Sequence, residues 1–105
     1  MDGRNGIRVV EVRGDLDLHS SPVLRRALRR MTRRGASLIV VVLGRVRFMD
    51  SCGAATLVQT LREVRSAGGE LRLAEPGGNV LDLIGVLNLR DVFGVYDTVE
   101  EACSN

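Results

Sequence analysis

With 105 residues, 45% of them hydrophobic and 27% charged, the chain has the size and make-up of one soluble globular domain with a modest core. Aromatic residues are only 3% and Trp is absent, which leaves the core to Val, Leu, Ile and Ala and argues against a nucleic-acid surface that stacks bases on rings. All 15 basic residues are arginine, and a formal net charge of +2 is too small to require a polyanionic partner, although a local patch can still matter.

Met1 to Gly6 is short and polar and does not read as a signal peptide. Ile7 to Arg13 is rich in β-branched residues and reads as a strand covered in part on both faces. Further strand pairing from the first residues is an open expectation. Gly14-Asp15-Leu16-Asp17 turns the chain, and Ser21-Pro22 opens a helix with Ser21 as the expected N-cap. Ala27, Leu24, Leu28 and Met31 share one face of that helix, and six arginines occupy the rest up to Gly35. A solvated face is the plain reading of the arginines; docking of an acidic partner surface is the other.

Ser37 to Leu43 is a continuous apolar run, as in a central strand covered on both faces. Phe48-Met49-Asp50-Ser51-Cys52-Gly53 leads into a second amphipathic helix carried by Ala54, Leu57, Val58, Leu61 and Val64, which Gly68-Gly69 stops. Glu70 to Ala74 alternates as a strand with Leu71 and Leu73 inward. After Pro76-Gly77-Gly78, Asn79 is the expected cap of a third helix that ends at Asn88 in the left-handed conformation. Val92 to Val95 reads as the last strand, and Thr98 with Glu101 forms the capping box of a C-terminal helix. The order β-α-β-α-β-α-β-α predicts an α/β domain with helices packed on a mostly parallel sheet.

Catalytic readings fail on residue inventory. The single His19 has no G-x-S-x-G elbow to serve, two distant cysteines and one histidine cannot build a metal site, and a phosphate-binding loop of the G-x-x-x-x-G-K-[ST] type needs a lysine the chain lacks. The expectation is therefore a non-enzyme without metal or cofactor. No apolar run approaches the ~20 residues of a membrane span, and Cys52 and Cys103 suit a reduced compartment, so a cytoplasmic location is expected.

Asp50-Ser51 before a helix is, on spacing alone, either an N-cap or an exposed hydroxyl whose phosphate would meet the positive end of the helix dipole. Phosphorylation there adds about −1.5 to −2 charges beside Asp50. Spacing leaves both readings open.

Four segments together resemble the STAS family, and within it the stand-alone bacterial anti-sigma-factor antagonists. They are Gly14-Asp15-Leu16-Asp17, Phe48-Met49-Asp50-Ser51-Cys52-Gly53, Ala67-Gly68-Gly69-Glu70-Leu71 and Thr98-Val99-Glu100-Glu101-Ala102. The resemblance runs from about Ile7 to Ala102 and implies one STAS domain over residues 1–105, with a core of about 7–102. It also implies a mostly parallel, mixed sheet of four to five strands with about four helices.

Functionally, the resemblance implies a protein that binds an anti-sigma factor and thereby releases a sigma factor. That anti-sigma factor is also a serine kinase of the histidine-kinase-like ATPase type. Phosphorylation of Ser51 switches the antagonist off, and a PP2C-type phosphatase restores it. Asp17, Asp50, Ser51, Cys52 and Gly53 map to the partner surface; neither direct nucleic-acid binding nor a membrane is implied. Cys52 stands where relatives have Ser or Thr, which opens a redox reading beside that of a tolerated small residue. Ala54-Ala55 replaces a bulky residue and is expected to flatten that surface. The rival reading is an accessory STAS subunit that scaffolds a transporter or signalling complex without phosphorylation.

Overall fold

The computed structural model of the chain describes residues 6–104. In chain order the elements are β1 (Ile7–Arg13), α1 (Ser21–Arg33), β2 (Leu38–Arg45), α2 (Ser51–Ser66), β3 (Glu70–Ala74), α3 (Gly78–Val86), β4 (Gly94–Tyr96) and α4 (Val99–Ser104). The four strands pair in the order β1-β2-β3-β4, all parallel. Parallel neighbours cannot be joined by a tight hairpin, so each connection crosses over through a helix. The strand pairing expected from the first residues falls on Met1 to Asn5, outside the described residues.

The unbroken apolar run of β2 is explained by its two faces. Ile39, Val41 and Leu43 point into the larger core with Leu24 and Leu28 of α1, Leu57, Leu61 and Val64 of α2, and Val80 and Ile84 of α3. Leu38, Val40 and Val42 point the other way and pack with Ala74 and Ala102 beneath α4. Successive strand residues alternate between faces, so a strand buried on both sides has no room for polar positions. Arg72 also faces α4: its guanidinium lies 5.7 Å from the Tyr96 ring centre and donates to the Ala102 carbonyl at 2.7 Å. A cation there suits the carbonyl end of the short helix.

Three boundaries move from their sequence positions. Ser21 is not the cap of α1: Ser20 precedes the helix in a helical conformation, and the Ser21 amide and hydroxyl donate to the Asp17 carbonyl at 2.8 and 2.6 Å. A helical turn thus already runs from Asp17, and the buried Ser21 lies inside it. Gly77, not Asn79, caps α3, and Asn79 instead donates through Nδ2 to the Arg47 carbonyl at 3.2 Å. The last strand starts at Gly94, because the amides of Val92 and Phe93 close a turn onto the Leu89 carbonyl and Phe93 turns into the core. The Thr98 hydroxyl accepts from the Glu101 amide at 3.1 Å, one half of a capping box. The Thr98 hydroxyl also donates to the Glu101 carboxylate at 3.2 Å.

Candidate functional site

The loop after β1 and the segment after β2 meet at one end of the sheet. Leu16 and Met49 form a parallel bridge, with the Leu16 amide donating to the Phe48 carbonyl at 2.9 Å and the Asp50 amide to the Leu16 carbonyl at 3.2 Å. Leu16, apolar between two aspartates, is fully buried and anchors the loop. The bridge sets Asp17 and Asp50 one residue beyond the paired positions, on the same rim.

Each aspartate is committed to local backbone. Asp17 Oδ1 accepts from the amides of His19 and Ser20 at 3.0 and 3.1 Å and from the Ser20 hydroxyl at 3.2 Å. These bonds, the Ser20 amide foremost, hold its carboxyl below the usual aspartate range. Asp50 is the N-cap of α2, in an extended conformation, and Oδ1 accepts from the Gly53 amide at 2.9 Å. Ser51 and Cys52 are the first two residues of α2 and both are exposed. Among the described residues the Ser51 hydroxyl makes no hydrogen bond, and it stands at the positive end of a 16-residue helix.

Gly53 is buried under the loop. A Cβ there would lie 2.5 Å from the Leu16 carbonyl oxygen and 2.9 and 3.0 Å from side-chain carbons of Leu16 and Met49. Of the two alanines that follow, Ala54 packs into the core at 2% exposure, so only Ala55 touches the surface. Any flattening of the surface therefore rests on Ala55 alone.

The rim carries two apolar residues that composition and spacing did not single out, Leu18 at 65% and Phe48 at 52% exposure. Both flank the Leu16–Met49 bridge in sequence, on the loops that carry Asp17 and Asp50. Two grooves open from the α2 N-terminus. One, of about 550 Å³, runs between Ser51, Ala55 and Val58 of α2 and Leu87 and Leu89 after α3. The other, of about 630 Å³, runs along α1 from Leu18 and Cys52. Cys52 and Cys103 are both free thiols. Among the described residues no three His, Cys, Asp or Glu side chains gather as a metal ion would require, and no helix is long and apolar enough to cross a membrane.

Comparison with known proteins gives the family. The anti-sigma-B factor antagonist of Bacillus subtilis is 33% identical over 86 residues, covering 82% of this chain and 78% of that protein. The anti-sigma F factor antagonist of Paenibacillus polymyxa is 28% identical over 98 residues, covering 92% and 84%. Among solved structures, the anti-sigma factor antagonist SpoIIAA in its unphosphorylated form superposes with a TM-score of 0.78 at 27% identity, covering 90% of this chain and 83% of that one. The Bacillus cell fate determinant SpoIIAA in the phosphorylated form superposes with a TM-score of 0.72 at 25% identity, covering 93% and 88%. The STAS domain model matches residues 1–102, and with a fold of four parallel strands and four helices the chain belongs to the STAS domain family.

Proposed function

We propose that this protein is an anti-sigma-factor antagonist that docks its partner on the rim formed by Asp17, Leu18, Phe48 and the start of α2, and that phosphorylation of Ser51 turns it off. The observation that carries the reading is Ser51 itself: an exposed hydroxyl without a hydrogen bond, at the first position of a long helix, beside an aspartate already spent on capping. The relatives named as antagonists of anti-sigma factors, and a SpoIIAA structure in the phosphorylated form, support it.

The chemistry is a charge switch. A phosphate on Ser51 adds about −1.5 to −2 charges, and the unpaired amides and dipole of the α2 N-terminus accommodate it without unfolding the helix. The added charge and bulk stand where a partner shaped to the unmodified surface meets a neutral hydroxyl, and any like charge it faces there costs several kcal/mol. The phosphate donor is ATP held by the partner, an anti-sigma factor that is itself a serine kinase of the histidine-kinase-like ATPase type. A PP2C-type phosphatase removes the phosphate, and the cycle runs in the cytoplasm beside the sigma factor it frees. The antagonist supplies the acceptor hydroxyl and the docking surface, and no catalysis.

Incubation with a candidate anti-sigma factor of the histidine-kinase-like ATPase type and ATP, followed by intact mass and binding measurements, tests the reading. The wild type gains one phosphate and loses affinity, Ser51→Ala gains none and stays bound, and Ser51→Asp binds weakly. Phosphate on Ser51→Ala, or wild-type affinity in Ser51→Asp, would overturn it.

A further inference from the structure

The charge of the chain is unevenly spread. Arg25, Arg26, Arg29, Arg30, Arg33 and Arg34 all line the groove along α1, whereas the remainder of the chain carries nine arginines against thirteen carboxylates. No acidic residue lies in α1. Arg25–Arg29, Arg26–Arg30, Arg29–Arg33 and Arg30–Arg34 are like charges four residues apart, an arrangement that destabilises an isolated helix. Arg29 is bridged to Glu63 of α2 at 3.0 Å. Arg25 Nε is buried without a hydrogen-bond partner. A helix that was merely solvated would gain from alternating signs, and α1 has none.

The groove is also continuous with the rim. It begins at Leu18 and Cys52, the latter adjacent to Ser51, and follows the 13 residues of α1, about 20 Å of helix. It has no aromatic side chain on which a base could stack.

We infer that this arginine groove docks an acidic segment of the protein partner, extending the footprint from Ser51 along α1. The inference rests on the rim being the partner surface. The arginines attract the acidic segment over a Debye length and steer the encounter, and the apolar rim then fixes it. A phosphate on Ser51 at the mouth of the groove repels the same segment, so a single modification weakens both halves of the footprint.

Two measurements test it, with Arg26→Glu/Arg33→Glu as the variant. Each new glutamate faces remaining arginines three and four residues away, so α1 keeps its helix, which circular dichroism checks; Arg90→Glu, outside the groove, is the control. Fluorescent dodecaglutamate binds the wild type with salt-sensitive affinity, perturbs the amide signals of Arg25 to Arg34 and Cys52, and binds the variant at least tenfold more weakly. With the partner ATPase at low salt, the variant associates at least tenfold more slowly and dissociates at about the wild-type rate. The inference is overturned if dodecaglutamate binds no better than dodecaglutamine, if dodecathymidylate of equal charge binds more tightly, or if the variant associates with the ATPase as fast as wild type. The last result alongside a weak Ser51→Asp leaves the switch standing and removes only the groove. A Ser51→Asp that binds like wild type removes the switch itself.

Discussion

Leu16 seats its carbonyl oxygen directly against the α-carbon of Gly53, where a single methyl group would stand 2.5 Å away. The same carbonyl accepts from the Asp50 amide. One backbone oxygen therefore ties the loop after β1 to the first turn of α2, and any residue with a Cβ at position 53 must push it off.

Gly53→Ala is accordingly expected to destabilise the fold by about 1–3 kcal/mol, the usual range for overpacking. Helix propensity alone predicts the opposite sign, a gain of about 1 kcal/mol, because Gly is a poor interior helix residue. The contacting atom is backbone and cannot swing aside, so the clash wins. Urea unfolding decides: a midpoint raised above wild type with an unchanged slope would show that Leu16 moves freely.

Asp50 combines a cap and a charge, and two substitutions separate them. Asp50→Ala removes the bond to the Gly53 amide and is expected to cost about 1 kcal/mol. Asp50→Asn keeps an accepting oxygen, and Asn caps as well as Asp, so stability should change by less than about 0.5 kcal/mol. The phosphorylated Asp50→Asn protein carries one negative charge fewer at the rim and should retain more partner affinity than phosphorylated wild type. Unfolding midpoints and titration with the ATPase measure the two effects independently.

Asp17 makes stability depend on pH. The amides of Ser20 and His19 hold its folded-state value below that of the unfolded chain. The stabilisation is therefore complete above the ordinary aspartate value of about 3.9 and is lost as the pH falls through the folded-state value. Asp17→Asn can accept the same hydrogen bonds but does not titrate. Urea midpoints from about pH 6 to about pH 3 should show the gap between wild type and Asp17→Asn closing as the pH drops. A gap that stays constant would mean that the carboxylate charge contributes nothing at this turn.

Much of this architecture is legible in the residues. The unalternating run of β2 announces a strand buried on both faces, and the helical spacing of Leu24 and Leu28, or of Leu57, Leu61 and Val64, announces the helices above it. The cap of α1 is read one residue late because Ser21 bonds back to the Asp17 carbonyl, a contact that lies outside any local capping rule. Of the candidate site, Asp50 and Ser51 are visible as a helix start. Their meeting with the Asp17 loop depends on the Leu16–Met49 bridge between segments more than thirty residues apart, which no local pattern encodes. Leu18 and Phe48 stay hidden for a simpler reason: an isolated apolar residue in a loop gives no signal of whether it points inward. Family resemblance, not spacing, singled out Ser51 among the serines of the chain.

The backbone itself offers a final check on the loops around the sheet. Glu75 and Asn88 both take φ of 57°, the left-handed region that costs an L-residue about 1–2 kcal/mol. Asn tolerates that region through its short polar side chain, and at the end of α3 it does the work a glycine would do. Glu has no such excuse at the end of β3, where its amide donates to the Tyr96 carbonyl at 2.9 Å and fixes the turn. Opposite signs are therefore expected. Asn88→Ala should lose about 1 kcal/mol. Glu75→Gly relieves the strain but adds about 0.4–1 kcal/mol of unfolded-state entropy, for a net gain of up to about 1.6 kcal/mol. Urea midpoints of the two variants measure both. If Glu75→Gly unfolds earlier than wild type, the Glu75 side chain, which lies over Gly44, contributes more than its backbone costs.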